Sequence, residues 1–483
     1  EINPLLALGF YQVFFLLWLG RKAPKKTLAG RFYPRYHFAP SHGWMNDPNG
    51  LCKFKGWYHL FYQYNPSTSL NTGNIHWGHA KSTDWFHWVH LPIALYPNSS
   101  YDSGGVYSGG ALIEDETMYL FYTGNVDDPA QQEQALAIST DGENFEKYAL
   151  NPLIAAEQYQ PNIRDPQVWK HDDTYYMILG NSFNSTSNTT LGRVLLYTSE
   201  DKLSWTQAAI LAESNGTLGY MWECPTFFEL GDHWVLLFSP QGVEPQGDLY
   251  QNTYQTGYIV GDFDYDTKIF KQITEFREMD CGHDYYATQM LNEDGFTIVM
   301  AWFSMWEYTQ SYLERYDGFA GSMVLPRNIT LGSDNIIYQT PVNTVDCIIG
   351  ENLYNGLGKP SLNVTLPDKT AEIKIKTAID KDFTLYIESD NQTVVLTYNV
   401  TEEKVILNRG GEDGIRKRTW KPNGDLVWRI FVDASSVELF CGQGEMTFSS
   451  RFFPTNPVTV RVGDQSYAIE LIVNAIQRTV EVP

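Results

Sequence analysis

Positive charge is scarce in this sequence. Only one short cluster, Arg21, Lys22, Lys25 and Lys26, concentrates it, and the formal net charge is −23. Such a surface repels phosphate backbones, which excludes nucleic acid as a partner. Cysteine is scarce too. Cys52, Cys224, Cys281, Cys347 and Cys441 lie far apart and form no C-x-x-C pair, so metal-site spacing is absent. The odd number leaves at least one thiol free in a monomer, and a chain of 483 residues needs no disulfide to fold. Long apolar runs are missing apart from Leu5 to Leu19, which falls short of the ~20 residues that span a bilayer. That stretch has the length of a signal core without a basic flank before it, and 1–30 is read as an N-terminal apolar segment. No stable membrane span is expected.

Helical periodicity is nearly missing as well. In its place a pattern recurs at roughly sixty residues: a Gly-, Asp- or Asn-rich turn leading into an apolar and aromatic strand. The copies read GWYHLFYQYN from Gly56, TMYLFYTGN from Thr117, TYYMILGNS from Thr174, HWVLLFSPQ from His233 and FTIVMAWFS from Phe296. A second element, a strand followed by a Ser/Thr-Asp turn and an aromatic, follows as HAKSTDWFHW, LAISTDGENF and LYTSEDKLSW. Short strands at this period predict an all-β protein with a five-bladed β-propeller over 31–335. The period stops near residue 345. Alternating strands such as AEIKIKTAI and VWRIFVDASSVELF then predict a β-sandwich over 345–483.

Three carboxylates stand in similar settings, each followed closely by Pro and then strand: Asp47 in HGWMNDPNG, Asp165 in NIRDPQVW and Glu223 in YMWECPTFF. Taken alone, D-P-N-G is an ordinary turn. In a propeller, however, equivalent positions of different blades converge on the central channel, so the three acids are expected to meet in one pocket. His42, His76 and His79 are read as neutral structural groups, and neither a metal nor a cofactor is expected.

WMNDPNG, RDP and Glu-Cys-Pro, in this order and spacing, resemble the three signatures of the β-fructofuranosidase family, the invertases, sucrases, levanases and inulinases. FYQYNP, HWGHA, VYSGGA, DCGHDYYATQ, GSMVLPRNI and RIFVDASSVELF resemble further family segments, and the likeness runs from about Tyr33 to the C-terminus. Within the family the sequence looks most like bacterial-type sucrases, with an animal relative such as an insect one suggested by its sequons. The resemblance implies a five-bladed propeller plus sandwich. It also implies a retaining hydrolase that splits sucrose through a covalent fructosyl-enzyme, with Asp47 as nucleophile, Glu223 as acid/base and Asp165 as the group that binds fructose hydroxyls. Glu223 is expected to hold its proton through a raised pKa, with Trp222 and Phe227 offering an apolar wall. Arg164 is expected to pair with a carboxylate. Trp44, Asn46, Gln63, Trp77, Tyr107 and Ser108 match fructose-binding positions, and Asp280 and Asp284 are further candidates. Of Trp302 and Trp306, alternation places one in the core and one on a sugar-stacking wall.

Inulin or levan cleavage and fructosyl transfer share these motifs. A catalytically inactive binding protein would be marked by loss of a carboxylate, and all three are present. A five-bladed glycosidase for pentose polymers is disfavoured by the W-M-N-D-P-N-G run. Sequons at Asn98, Asn184, Asn188, Asn215, Asn328, Asn363, Asn391 and Asn399 point to a secreted glycoprotein.

Overall fold

The computed structural model describes residues 30–71, 73–156, 162–186, 188–306, 313–359, 362–463 and 469–480. The N-terminal apolar segment read from the sequence falls outside them but for residue 30. Among the described residues no helix is long and apolar enough to cross a membrane.

Up to Pro341 the chain lays down five sheets of antiparallel strands in sequence order, with Phe319–Ala320 returning to pair parallel with the inner strand of the first. Each recurring segment becomes the strand next to the inner one. Turns at left-handed backbone angles join the inner strand to that second strand. Lys55-Gly56, Asp115-Glu116 and Asp294-Gly295 each place two successive residues at positive φ, the twist that a tight hairpin demands. The Ser-x-Asp signature is a turn lock repeated in three sheets. Ser82, Ser139 and Ser199 donate to Asp84, Asp141 and Asp201 at 3.0, 2.9 and 3.0 Å. Each Asp in turn accepts backbone N–H groups, as Asp141 does from Glu143 and Asn144.

The inner strands are Gly43–Phe54, Gly105–Glu114, Ile163–His171, Met221–Leu230 and Tyr286–Glu293. Each touches the next, and the fifth returns to the first, so they close a ring. All five sheets break register at the same level of that ring: between Met45 and Pro48, Tyr107 and Gly109, Arg164 and Gln167, Glu223 and Thr226, and Tyr286 and Gln289. A bulge leaves backbone groups unpaired and re-aims side chains. Proline, which has no N–H to pair, fits inside one at Pro48, Pro166 and Pro225.

The second unit is a sandwich of two six-stranded sheets. Its core includes Ile373, Ile375, Phe383, Leu385, Trp428, Leu439, Phe448 and Val460. The propeller packs against one outer face through Tyr36, Met323, Phe431 and Phe440. Between the units lies an ionic network. Arg327 reaches Asp280 at 3.0 Å and Glu438 at 2.6 Å with every side chain fully buried. His37 bridges Asp433 and Glu438 at 2.8 and 2.7 Å. Burial opposes its charge, but the two carboxylates prevail and raise its pKa to about 9.

This network corrects one expectation. Asp280 and Asp284 do not reach the pocket. Their segment docks on the sandwich like an added strand, with Cys281 and Asp284 N–H donating to the Thr447 and Ser449 carbonyls at 2.8 and 3.0 Å. That docking turns Asp280 toward Arg327 and Ser449, and Asp284 toward Arg409 at 2.7 Å and the Arg451 N–H at 2.6 Å. Removing one partner of a buried ion pair leaves the others uncompensated, at a cost of about 3–5 kcal/mol. Arg327→Met is therefore expected to lower the free energy of unfolding, read from a urea titration, by that amount. A change below about 1 kcal/mol would show that the network does not hold the units together.

Candidate active site

The bulges place side chains where a regular strand would not. Asp165 and Cys224 sit at φ 65° and 48°, left-handed angles that tip the backbone toward the ring axis. Asp47, Ser108, Asp165 and Glu223 all line a cavity of about 490 Å³ at this end of the ring, together with Asn46, Gln63, Tyr107, Arg164 and Trp306. A second cavity, of about 480 Å³, opens among the later residues of the same strands. Its Glu293 is committed to Lys53, and the clustered acids are not there.

Asp47 is partly buried and held at both oxygens. Ser108 Oγ donates to Oδ2 at 2.7 Å, Asn46 Nδ2 donates to Oδ1 at 3.1 Å, and the Cys224 thiol lies 3.5 Å from Oδ2. Burial, followed by the charge of Glu223, raises its pKa to about 6, and the three hydrogen bonds limit the rise. Asp165 accepts the Cys224 N–H at 2.8 Å. Burial raises its pKa to about 7, with Arg164 opposing and Glu223 adding to the rise.

Glu223 Oε1 receives Arg164 Nε at 3.0 Å and Nη2 at 2.6 Å, while Oε2 receives the Tyr286 hydroxyl at 2.6 Å. The guanidinium beside Asp165 in sequence thus pairs with Glu223. Burial works against its charge, but Glu223 and then Asp165 outweigh burial and hold Arg164 protonated. The expected apolar wall is absent at Glu223, because Trp222 and Phe227 point into the core between the third and fourth sheets. Alternation sends Trp222, one residue away, to the opposite face, and the register break between Glu223 and Thr226 removes the common face that Phe227, four residues away, would otherwise share.

The other sequence candidates divide into lining and support. Asn46, Gln63, Tyr107, Ser108, Arg164 and Trp306 line the cavity. Trp44, Trp77 and Trp302 are buried behind it. Trp44 donates Nε1 to Asn46 Oδ1 at 2.9 Å and stacks on Trp306 with centroids 6.1 Å apart. Trp77 donates to the Tyr107 carbonyl at 3.0 Å. Sequence reading missed Tyr286, Tyr254, Gln132, Asn162 and Gln241. Tyr286 is the last paired residue before the bulge of the fifth inner strand, the place Glu223 holds in the fourth, and that equivalence emerges only in the folded ring. Among the described residues no group of three His, Cys, Asp or Glu is placed to hold a metal ion.

The profile of the glycosyl hydrolases family 32 N-terminal domain matches residues 37–341, and that of the C-terminal domain matches 349–480. A sucrose-6-phosphate hydrolase of Zymomonas mobilis is 37% identical over 463 residues, covering 90% of this chain and 89% of that protein. A raffinose invertase of Escherichia coli is 36% identical, over 91% of this chain and 94% of its own. The solved structure of a Bombyx mori beta-fructofuranosidase mutant in complex with sucrose is 40% identical. It superposes with a TM-score of 0.87 over 94% of this chain and 96% of its own.

Asp47 has a folded pKa above its unfolded value of 3.8. The folded state therefore binds the proton more tightly, and stability falls as pH rises from about 4 to about 6. Above that window the ionised carboxylate is a net cost. Asp47→Asn removes it and is expected to stabilise the fold by about 1–3 kcal/mol at neutral pH, and by little below about pH 4. Urea titrations at the two pH values check this. Equal stability of the two proteins at neutral pH would refute it.

Proposed function

The chain belongs to glycosyl hydrolase family 32, and on that premise we propose that it is a retaining β-fructofuranosidase that splits sucrose with Asp47 as nucleophile and Glu223 as acid/base. The observation that carries this reading is a single recess in which Asp47, held at both oxygens, shares space with Asp165 and Glu223.

The chemistry asks two carboxyl groups for different work. Attack by an ionised carboxylate on the anomeric carbon breaks the bond to the leaving oxygen while a carboxylic acid protonates that oxygen. Asp47 suits attack, since Ser108 and Asn46 fix its orientation and leave it ionised above about pH 6. Glu223 takes the proton-transfer role, aligned by Arg164 and Tyr286. In the second step Glu223 takes a proton from water, whose oxygen attacks the anomeric carbon and releases Asp47. Asp165 is recessed beside them, where its carboxyl can bond fructose hydroxyls and steady the cationic transition state. Asn46, Gln63, Tyr107 and Trp306 are assigned to sugar binding on their place in the lining. Trp44 and Trp77 act from behind it.

Sucrose and raffinose should both release fructose, and maltose, which has none, should remain intact. Maltose cleavage without raffinose cleavage would sink the assignment. Asp47→Ala and Glu223→Ala should each lower kcat by several orders of magnitude in a folded protein, and near-normal activity in either would refute its role.

We further propose that the protein is a secreted glycoprotein. Asn98, Asn184, Asn188, Asn215 and Asn363 are exposed, and Thr217 Oγ1 already donates to Asn215 Oδ1 at 2.7 Å within one sequon. Asn391 is less suited, because its Nδ2 donates to the Phe453 carbonyl at 2.9 Å. Expression through a eukaryotic secretory route should give a protein whose mass falls on treatment with an N-glycan-releasing amidase. An unchanged mass would overturn the glycoprotein reading.

A further inference from the structure

We propose that the leaving-group side of the pocket selects an uncharged glucosyl unit and discriminates against sucrose phosphorylated at glucose O6. This rests on the β-fructofuranosidase reading and deepens it. An acid/base acts on the glycosidic oxygen, so the groups clustered around Glu223 border the leaving sugar. Those groups are Arg164, bonded to Glu223, and Gln132 and Asn162, which accept from the far side of that guanidinium and line the same cavity.

A phosphate brings a charge of about −1.5 to −2 and asks for Arg or Lys donors. Among the described residues lining the cavity, Arg164 is the single cation. It is already committed. Nε and Nη2 both serve Glu223, and Nη1 serves Gln132 Oε1 at 3.2 Å and Asn162 Oδ1 at 3.4 Å. Drawing the guanidinium onto a phosphate would release the acid/base it aligns. Against that one cation stand Asp47, Asp165 and Glu223, and the net charge of −23 repels an anionic substrate before it arrives. Neutral amides such as Gln132 and Asn162 suit hydroxyl groups instead. Relatives of this chain include proteins named for sucrose 6-phosphate and one solved with sucrose. The charge balance of this pocket favours the unphosphorylated sugar.

Raffinose supplies the control for size, because it carries a neutral galactose on the same glucose O6. The experiment compares kcat/KM for sucrose, raffinose and sucrose 6-phosphate at low and high ionic strength. Sucrose 6-phosphate should fall at least about tenfold below the other two at low salt, and the gap should narrow as salt screens the repulsion. Asn162→Lys should raise the ratio of phosphorylated to plain sucrose severalfold. The proposal is overturned if sucrose 6-phosphate is cleaved as well as sucrose. It is also overturned if raffinose falls as far as the phosphate, or if Asn162→Lys leaves the ratio unchanged. No fructose from any of the three would refute the β-fructofuranosidase reading itself.

Discussion

Three carboxylates confined to one recess repel one another, and burial adds to the cost of ionising Asp47 and Asp165. Arg164 makes the crowding tolerable. Its guanidinium binds Glu223 through two donors and moderates the neighbouring Asp165. The Cys224 N–H and the Ser108 hydroxyl spread further positive dipoles over Asp165 and Asp47. Even so, Asp47 and Asp165 keep raised pKa values. The site stores unfavourable electrostatic energy that the rest of the fold must outweigh, as is usual where carboxyl groups are kept ready for reaction.

What holds the acids there is backbone geometry. A pleated strand sends successive side chains to opposite faces. The five register breaks interrupt that alternation at one level of the ring and turn one residue from each inner strand toward the axis. The propeller gives these positions rigidity, because each bulge is flanked by paired strand on both sides. Precision at the site therefore comes from ordinary sheet pairing and not from mobile loops.

The sandwich contributes from behind. Arg451, on its edge strand, donates to the Phe303 carbonyl at 3.2 Å, three residues from Trp306 in the cavity wall. Asp280 and Asp284 serve the same joint between the units. Their sequence context resembled a binding motif, yet their chemistry is that of buried ion-pair partners. Polar residues beside apolar strands look alike in sequence whether they face a ligand or a second domain.

The sequence by itself determined the all-β architecture. Turn chemistry and strand alternation are local, and their repeat at a fixed period reflects one hairpin unit used again. It also singled out the three carboxylates that the fold brings into one recess, since Asp47 and Asp165 directly precede a proline that a bulge accommodates and Glu223 stands two residues before one. Only the tertiary structure decided the partners. That Arg164 turns to Glu223 and not to Asp165, that the Tyr286 hydroxyl donates to Glu223, and that Trp302 is buried while Trp306 lines the cavity all depend on where strands from different sheets come to rest. Such contacts join residues about sixty apart or more, and no local preference encodes the direction in which a bulged side chain points.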